Sequence, residues 1–396
     1  MTQSDPIVIA GMARTPMGGF QGDLSGATAS ELGAVALSAA LARSGLRADQ
    51  IEEVIFGCVL PAGQGQAPAR QAALGAGLPL STTATTVNKM CGSGMKAAIM
   101  AHDTILSGNA AIVVAGGMES MSNAPYLLPK ARGGYRMGHR QIVDHMFMDG
   151  LEDAYDKGRL MGTFAEDCAE AFQFTRGEQD AYAIASLERA QNAIANGHFA
   201  GEIAAVTVKG RKGDVEVSID EQPGKAQIDK IPTLKPAFRK DGTVTAANSS
   251  SISDGAAALV LMRRSEAEKR GLTPLAAIIG HASHAHEPNL FPTAPIHAMR
   301  KLSDKTGWAL SDVDLFEINE AFAVVAMASM RELGLPHEKV NIHGGACALG
   351  HPIGASGARI MVTLLAALLT HGLNRGIASI CIGGGEATAV AIERLS

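Results

Sequence analysis

The feature that constrains this chain most is an alternation of strands and helices that occurs twice. In the N-terminal part, apolar runs predict strands at 6–11, 51–59, 82–87 and 111–115 and helices at 29–44, 67–76 and 95–106. Short apolar strands separated by helices are typical of a sheet that helices cover on both faces. The sequence therefore predicts an α/β fold.

The C-terminal part repeats this order, with a helix predicted at 295–306 and strands at 313–318 and 377–380. The run S-G-L-R-A-D-Q-I-E-E-V-I-F at 44–56 resembles T-G-W-A-L-S-D-V-D-L-F-E-I at 306–318. At nearly the same offset, I-V-V-A-G-G at 112–117 resembles S-I-C-I-G-G at 379–384. Two such matches predict an internal duplication of one α/β unit.

The stretch between the two halves has a different character. It is rich in charge, contains the turn-rich run K-G-R-K-G-D at 209–214, and carries a predicted helix at 176–196. Because it is too long for a connector, we expect 122–251 to be an inserted loop domain that covers substrate and assists assembly. The N-terminal half is then 1–121, completed by 252–274, and the C-terminal half is 275–396.

Composition excludes several classes of protein. The 34 Lys and Arg against 39 Asp and Glu leave a net charge of −5, which does not favour nucleic acid as a partner. The N-terminus lacks a secretory signal pattern, and the longest apolar run, 360–369, is shorter than the ~20 residues that span a bilayer. We therefore expect no membrane partner and a cytoplasmic location.

The cysteines and histidines do not predict a metal site. The five cysteines form no C-x-x-C, so neither a disulfide framework nor a zinc ribbon is indicated. Three histidines lie close together in H-A-S-H-A-H at 281–286. We expect them to be structural or surface histidines, because no further ligands accompany them.

A candidate nucleophile stands in the run N-K-M-C-G-S-G at 88–94, between a predicted strand and a predicted helix. Cys91 is therefore expected on a tight turn at a helix N-terminus, where the helix dipole favours the thiolate. The glycines beside it allow a large substrate to approach. The alternative is a buried and inert cysteine.

Three further motifs are expected to meet at the same site. His351 lies in the glycine-rich run 344–357, which suits a general base or an oxyanion donor. Cys381 begins C-I-G-G-G after a predicted strand, and its glycines expose backbone N–H groups that stabilise a developing oxyanion. Asn319 begins N-E-A-F at a strand end, where α/β sheets place functional groups.

With these motifs together, the chain resembles the thiolase family over essentially its whole length, and most closely its acetyl-CoA acetyltransferases. The motifs N-x-x-C-G-S-G, N-E-A-F, G-G-A-x-x-x-G-H-P-x-G and C-x-G-G-G occur in this order. Supporting matches are L-P-A-G-x-G-Q from 60, G-G-M-E-S-M from 116 and G-T-V-T-A-A-N from 242. The resemblance implies a layered αβαβα fold.

The resemblance also implies roles for the site residues. Cys91 is the nucleophile that becomes acylated, His351 activates it, and Cys381 moves the α-proton of the acetyl group. Asn319 holds a water that forms one oxyanion hole with His351, and the backbone N–H groups of Cys91 and Gly383 form the other. The implied reaction is the reversible, ping-pong Claisen condensation of two acetyl-CoA molecules to acetoacetyl-CoA and CoA.

The implied partners are acyl-CoA and free CoA, as substrates rather than cofactors, and a second copy of the chain in a homodimer or homotetramer. No cofactor or metal is expected. By resemblance, seven residues line the pantetheine tunnel or the acyl pocket: Leu151, Met161, Leu234, Phe238, Ser250, Ala321 and Phe322. Ser250 is expected to bond a pantetheine amide, and Phe322 to wall the slot.

Four positions depart from the family pattern. Leu160 stands where short-chain relatives often have His, and Phe291 where a methionine often borders the acetyl pocket. His343 and Cys347 occupy positions that are more often Asn and an aliphatic residue. Leu160 and Phe291 leave the preferred acyl chain length open.

Three alternative functions remain at this stage. A broader-chain 3-ketoacyl-CoA thiolase of β-oxidation would prefer long substrates. A non-catalytic acyl-CoA-binding relative would have lost one of Cys91, His351 and Cys381, all of which are present. A cysteine hydrolase would need no Cys381.

Overall fold

A computed structural model describes residues 5–210 and 213–395. Its strands are β1 (Ile7–Arg14), β2 (Gly18–Gly19), β3 (Glu53–Gly57), β4 (Thr83–Val87), β5 (Ile112–Ser120), β6 (Tyr126–Leu127), β7 (Val143–Asp144), β8 (Val206–Val208), β9 (Val215–Val217), β10 (Ser253–Arg263), β11 (Ala276–Ala285), β12 (Leu315–Ile318), β13 (Arg375–Ile382) and β14 (Glu386–Arg394). Its α-helices are α1 (Ala29–Ser44), α2 (Pro68–Gly75), α3 (Ser93–Leu106), α4 (Met161–Ala171), α5 (Arg176–Ala195), α6 (Glu221–Lys225), α7 (Arg264–Lys269), α8 (Ala294–Thr306), α9 (Ala323–Leu333), α10 (Ala346–Leu349) and α11 (Ile353–His371).

The main sheet consists of two halves that meet at β1 and β11. The N-terminal half has the order β4-β3-β5-β10-β1 and the C-terminal half the order β12-β13-β14-β11. Only two residue pairs, Val8 with Ala277 and Ile9 with Ala276, join β1 to β11. In the N-terminal half, β3 is parallel to both of its neighbours, β4 and β5, and in the C-terminal half β12 is parallel to β13. The remaining pairs of this sheet are antiparallel.

The two halves repeat the same design in detail. The register of β1 against β10 shifts between Ile9 and Gly11, and that of β11 against β14 shifts between Ile278 and Gly280, so both first strands carry a bulge at the same place. Helices α1 and α8 follow these strands on the outer faces. The predicted duplication is thus visible in the strand pairing, and the predicted α/β fold class is confirmed.

The helices form three layers around the two halves of the sheet. Helices α1 and α2 cover the outer face of the N-terminal half, and α8 and α9 lie on the outer side of the C-terminal half. Between the halves lie α3 and α11, whose apolar residues share one buried cluster with β5 and β13. The resulting order of layers is αβαβα.

Helix α11 is long and apolar enough to cross a membrane by length and composition, but 89% of its apolar window is buried inside the protein. Its place between the two halves of the sheet accounts for this composition, since a helix buried on all sides has no polar face. The apolar run in the sequence is the central helix of the fold.

Glycine permits the close packing of α3 against α11. A Cβ at Gly94 would lie 2.7 Å from the backbone nitrogen of Ala358, and a Cβ at Gly357 would lie 2.5 Å from that of Met95. A Cβ at Gly117, beneath the start of α11, would lie 2.1 Å from the carbonyl oxygen of Gly354. No other residue type fits at these positions without moving backbone.

The chain leaves the sheet after β5 at Ser120 and rejoins it with β10 at Ser253. The stretch between contains the small hairpins β6–β7 and β8–β9 and the helices α4 and α5, which pack against the C-terminal half. The predicted bounds of the inserted domain, 122 and 251, lie within two residues of these positions. Its role in assembly stays a prediction.

The sequence located the helices better than the strands. Helix α1 spans the predicted residues, whereas β5 continues five residues beyond its predicted end at 115. Strands β10, β11 and β14 were not predicted, because their alanine-rich sequences carry no strand pattern. Burial of both faces between helices, rather than local propensity, holds them in the sheet.

We predict opposite effects for two helical Gly-to-Ala substitutions. Gly357→Ala places a methyl group against the backbone of α3 and should lower the stability by about 1–3 kcal/mol. Gly177→Ala in α5, where a Cβ meets no described atom within 4 Å, should raise it by about 0.5–1 kcal/mol. Thermal unfolding of both variants checks this, and a Gly357→Ala protein as stable as the unchanged chain would contradict the packing of α3 on α11.

Candidate active site

Cys91 sits on a tight turn between β4 and the N-terminus of α3. The backbone of Met90 is left-handed, with φ of 46°, and two side chains hold it there. Asn88 Oδ1 accepts a hydrogen bond from the Met90 N–H at 2.9 Å, and Ser93 Oγ donates to the Met90 carbonyl at 2.6 Å. A Cβ at Gly92 would lie 2.4 Å from a side chain of β13. Each fixed residue of N-x-x-C-G-S therefore shapes this turn.

The Cys91 thiol is neutral in the free protein. Burial raises its pKa to about 11, and hydrogen bonds from the backbone N–H groups of Gly383 and Cys91 oppose this only in part. The thiolate expected at the helix N-terminus is therefore not favoured in the free protein, because desolvation outweighs these two hydrogen bonds. A base must remove the proton as the thiol attacks.

His351 lines the same cavity and is the candidate for that base. Its backbone N–H donates to the Ser251 carbonyl at 3.1 Å. The Ser356 hydroxyl donates to the Pro352 carbonyl at 2.8 Å, so it accepts the hydrogen bond from His351 Nδ1 at 2.5 Å. This network assigns the proton of the imidazole to Nδ1 and makes Nε2 the nitrogen whose lone pair can accept one.

The His351 imidazole is also neutral, as a base must be. Burial and the nearby Arg359 guanidinium lower its pKa to about 3. The neutral thiol and neutral imidazole therefore coexist over the whole physiological pH range. Neither group ionises until a substrate arrives.

Asn319 and Cys381 come from the carboxyl ends of two parallel strands, β12 and β13. The Asn319 N–H donates to the Ser379 carbonyl at 2.9 Å, and its Nδ2 lies 3.5 Å from His351 Nε2. Cys381 is buried, and desolvation together with the nearby Cys91 raises its pKa well above the ordinary value. Its thiolate, once formed, is a strong base.

The loop after Cys381 turns β13 back into β14 and presents backbone N–H groups. Gly384 and Gly385 have left-handed φ values of 94° and 85°. A Cβ at Gly385 would lie 2.4 Å from the His286 carbonyl oxygen. Only glycine fits there, and this places the Gly383 N–H at the Cys91 sulfur, where a thioester oxygen develops charge.

Glu119 links the loop after β3 to the start of α11 by hydrogen bonds. Its carboxylate accepts hydrogen bonds from the backbone N–H groups of Val59, Leu60 and Gly354, at 2.9, 3.1 and 2.9 Å. Burial raises its pKa to about 7, while these three N–H groups oppose the rise. The start of α11, and with it His351, is thus fixed to the loop after β3.

The candidate catalytic side chains open into a cavity of about 640 Å³. Cys91, His351, Cys381 and Gly383 line it, and Asn319 lies behind them, buried. A volume of several hundred Å³ is usual for a small-molecule site. The structure thus gathers all five predicted catalytic positions at one end of the central helices.

Six of the seven predicted substrate-binding residues line the same cavity: Leu151, Met161, Phe238, Ser250, Ala321 and Phe322. The rings of Phe238 and Phe322 meet edge to face at 5.9 Å between centroids. The Ser250 N–H donates to the Ala321 carbonyl at 3.0 Å. Leu160 and Phe291, two of the positions that depart from the family pattern, also lie on the wall.

Leu234 does not line this cavity, and its contact with substrate stays a prediction. It follows a short 3₁₀ turn, and its carbonyl accepts a hydrogen bond from Arg176 at 2.8 Å. That bond ties the segment to α5 rather than to the cavity. Phe238, four residues later, reaches the wall because Gly162 makes room: a Cβ there would lie 2.4 Å from the Phe238 ring.

Matches to known proteins agree with this geometry. The family model "Thiolase, N-terminal domain" matches residues 7–265, and "Thiolase, C-terminal domain" matches residues 272–394. The chain belongs to the thiolase family. Together the two matches cover nearly the whole chain.

Relatives of this thiolase are similar over their full length. The acetyl-CoA acetyltransferase of Rhizobium meliloti (strain 1021) is 49% identical over 98% of this chain and 99% of its own. Acetyl-CoA acetyltransferase 2 of Arabidopsis thaliana is 51% identical over 98% and 97%. The crystal structure of Acat5 thiolase from Ascaris suum in complex with coenzyme A matches 98% of this chain and 100% of that one, with a TM-score of 0.94 and 43% identity.

Sequence reasoning missed Ser356 and Glu119 as parts of the site. Both lie inside motifs that were recognised, in 344–357 and in G-G-M-E-S-M. Ser356 follows His351 by five residues and lies in the first turn of α11. The turn of the helix brings its hydroxyl next to the His351 ring. The signal was present, but a serine beside glycines has many other uses.

We predict that Ser356→Ala slows catalysis without loss of the fold. It removes the acceptor that fixes the Nδ1 proton of His351, so the rate should fall by about 10²-fold with little change in KM. Ser329→Ala is the matched control, since that buried hydroxyl makes the same bond to the carbonyl four residues earlier, at 2.9 Å to Val325. Steady-state kinetics check this. Equal rates for the two variants would contradict the role of Ser356.

Proposed function

We propose that this thiolase is an acetyl-CoA C-acetyltransferase, which condenses two acetyl-CoA molecules to acetoacetyl-CoA and CoA and runs the reverse thiolysis. The observation that carries the proposal is the meeting of a nucleophile, a base and a second thiol in one cavity, Cys91, His351 and Cys381. The names of the full-length relatives support the substrate. A hydrolase needs no second thiol.

The first half-reaction transfers the acetyl group to Cys91. His351 Nε2 takes the proton of the Cys91 thiol as the sulfur attacks the thioester carbonyl, and the backbone N–H groups of Cys91 and Gly383 stabilise the oxyanion. Collapse of the tetrahedral intermediate breaks the bond to CoA. The departing CoA thiolate takes the proton of Cys381, so the enzyme now holds acetyl-Cys91, the His351 imidazolium and the Cys381 thiolate.

The second half-reaction forms the carbon–carbon bond. The Cys381 thiolate takes an α-proton from the second acetyl-CoA, which suits a thiol whose pKa is held well above its ordinary value. Asn319 and the His351 imidazolium stabilise the enolate oxygen. The enolate attacks acetyl-Cys91, and the released Cys91 thiolate recovers its proton from His351.

The shape of the cavity supports short acyl groups. Phe291 is buried on the wall of the cavity. Its ring meets that of Phe164 edge to face, with centroids 6.2 Å apart, and lies tilted against that of Phe322, with centroids 6.5 Å apart. Three packed rings leave little room for a long chain to pass. A thiolase for long 3-ketoacyl chains would need this wall to open.

The proposal extends to cofactors, assembly and location. The chemistry requires neither a metal nor an organic cofactor, since CoA thioesters are the substrates. A homodimer or homotetramer is supported by β4, which lies at the edge of the sheet, and by exposed apolar side chains on the insert, Tyr126, Leu128, Met137 and Ile142. Free thiols at all five cysteines support the cytoplasm.

We predict that Cys381→Ala separates the two half-reactions. Without the base for the α-proton, formation of acetoacetyl-CoA should fall by at least about 10³-fold. Acetylation of Cys91 should persist, more slowly because Cys381 no longer protonates the departing CoA thiolate, and it should release up to one CoA per site. Rapid-quench assay of CoA and acetoacetyl-CoA checks this.

The matched control is Cys347→Ala, because Cys347 lies outside the cavity wall, packed against Glu320. It should retain condensation. Sustained CoA release by Cys381→Ala, at the rate of the unchanged protein, would instead identify a hydrolase and overturn the proposal.

A further inference from the structure

Three histidines from distant parts of the sequence converge outside the catalytic cavity. His198 follows the end of α5, His343 precedes the glycine-rich loop of His351, and His371 is the last residue of α11. One ligand atom from each lies within 4.8 Å of the other two. The Nε2 atoms of His343 and His371 are only 3.0 Å apart.

Backbone turns fix the main chain at each of the three histidines. The His198 N–H donates to the Ala193 carbonyl at 2.9 Å, which closes the end of α5. Gly344, next to His343, has a φ of 78°, and a Cβ there would lie 2.4 Å from a backbone oxygen of α5. Gly372 caps α11 directly after His371 in the left-handed conformation. The cluster is therefore built by the fold, not by mobile side chains.

Two of the three imidazoles have a buried nitrogen without a hydrogen-bond partner. His343 is 3% exposed, and its Nδ1, like that of His198, has no hydrogen-bond partner among residues 5–210 and 213–395. The charge of the neighbouring Arg14 is paired with Glu202 and Asp220.

Two other clusters of this kind are less suited to a cation. In the first, the Asp103 carboxylate already accepts hydrogen bonds from His102 and His281, at 2.9 and 3.1 Å. In the second, made by His284, His286 and His297, the neighbouring Lys301 and Arg300 repel positive charge. The run H-A-S-H-A-H is thus divided between these two clusters.

We propose that His198, His343 and His371 form a binding site for a divalent transition-metal ion of the zinc type. Three imidazoles suit zinc, nickel and copper, and ligand nitrogens around a tetrahedral zinc ion lie about 3.3 Å apart. His371 is exposed, so its ring has room to adjust, and solvent reaches the fourth position. The ion would clamp α5 of the insert to the C-terminal half.

The site is structural rather than catalytic. Helix α11 has 19 residues, so His371 lies about 27 Å from the helix start that follows His351. Substitutions at His371 should therefore leave acetyl transfer unchanged. The two proposals can therefore fail separately. Metal binding tests the histidine site, and turnover of acetyl-CoA tests the proposed function.

The test is a titration of the chelator-washed full-length protein with Zn²⁺ by calorimetry, with Cys91 first alkylated by iodoacetamide so that its thiol cannot compete. We expect one zinc ion per chain and a rise in Tm of about 3 °C at saturation. His371→Gln should weaken binding at least tenfold, and His198→Gln with His371→Gln should abolish it. His139→Gln, at an exposed histidine of the insert, is the control and should bind like the unchanged protein.

A Co²⁺-loaded sample adds a second measurement, since nitrogen ligands give a tetrahedral cobalt spectrum that the double variant should lack. Melting curves without metal show whether the variants are folded. No binding of zinc by the unchanged protein would overturn the proposal. So would binding by the folded double variant with the same affinity.

Discussion

The close approach of α3 and α11 is the constraint on which the active site depends. Gly94 and Gly357 let the two backbones meet, and Gly117 lets the start of α11 rest on the sheet. Cys91 lies just before α3 and His351 just before α11, so the distance between the helices sets the distance between nucleophile and base. Duplication of one α/β unit supplies the two helices in equivalent positions.

The burial that follows from this packing determines the chemistry of the site. Desolvation raises the pKa of Cys91 to about 11 and lowers that of His351 to about 3, so both are neutral at rest. In the proposed mechanism, the proton passes between them only when a thioester carbonyl is bound and two backbone N–H groups stabilise the new charge. The resting site is thus protected from side reactions of a free thiolate.

Alternating strand and helix patterns predicted the fold class, and short glycine-rich motifs predicted that five candidate catalytic residues meet at one site, because such motifs fix a backbone shape and a reactive group together. Leu234 lies off the cavity wall because its segment is bound to Arg176 of α5, a contact that no local pattern reveals. The thiolate at Cys91 was wrongly expected because helix position is visible in a sequence and burial is not. The sequence contains no pattern that predicts the three-histidine site, since its histidines are far apart along the chain.

The measurement that tests the central claim most directly is mass spectrometry of peptides from the protein after brief exposure to ¹⁴C- or ¹³C-acetyl-CoA. If Cys91 is the nucleophile that His351 activates, the label is on the peptide that contains Cys91, and addition of CoA removes it. In His351→Ala the labelling rate should fall by about 10²–10⁴-fold. Label on Cys381 instead, or labelling of Cys91 that does not depend on His351, would contradict the account.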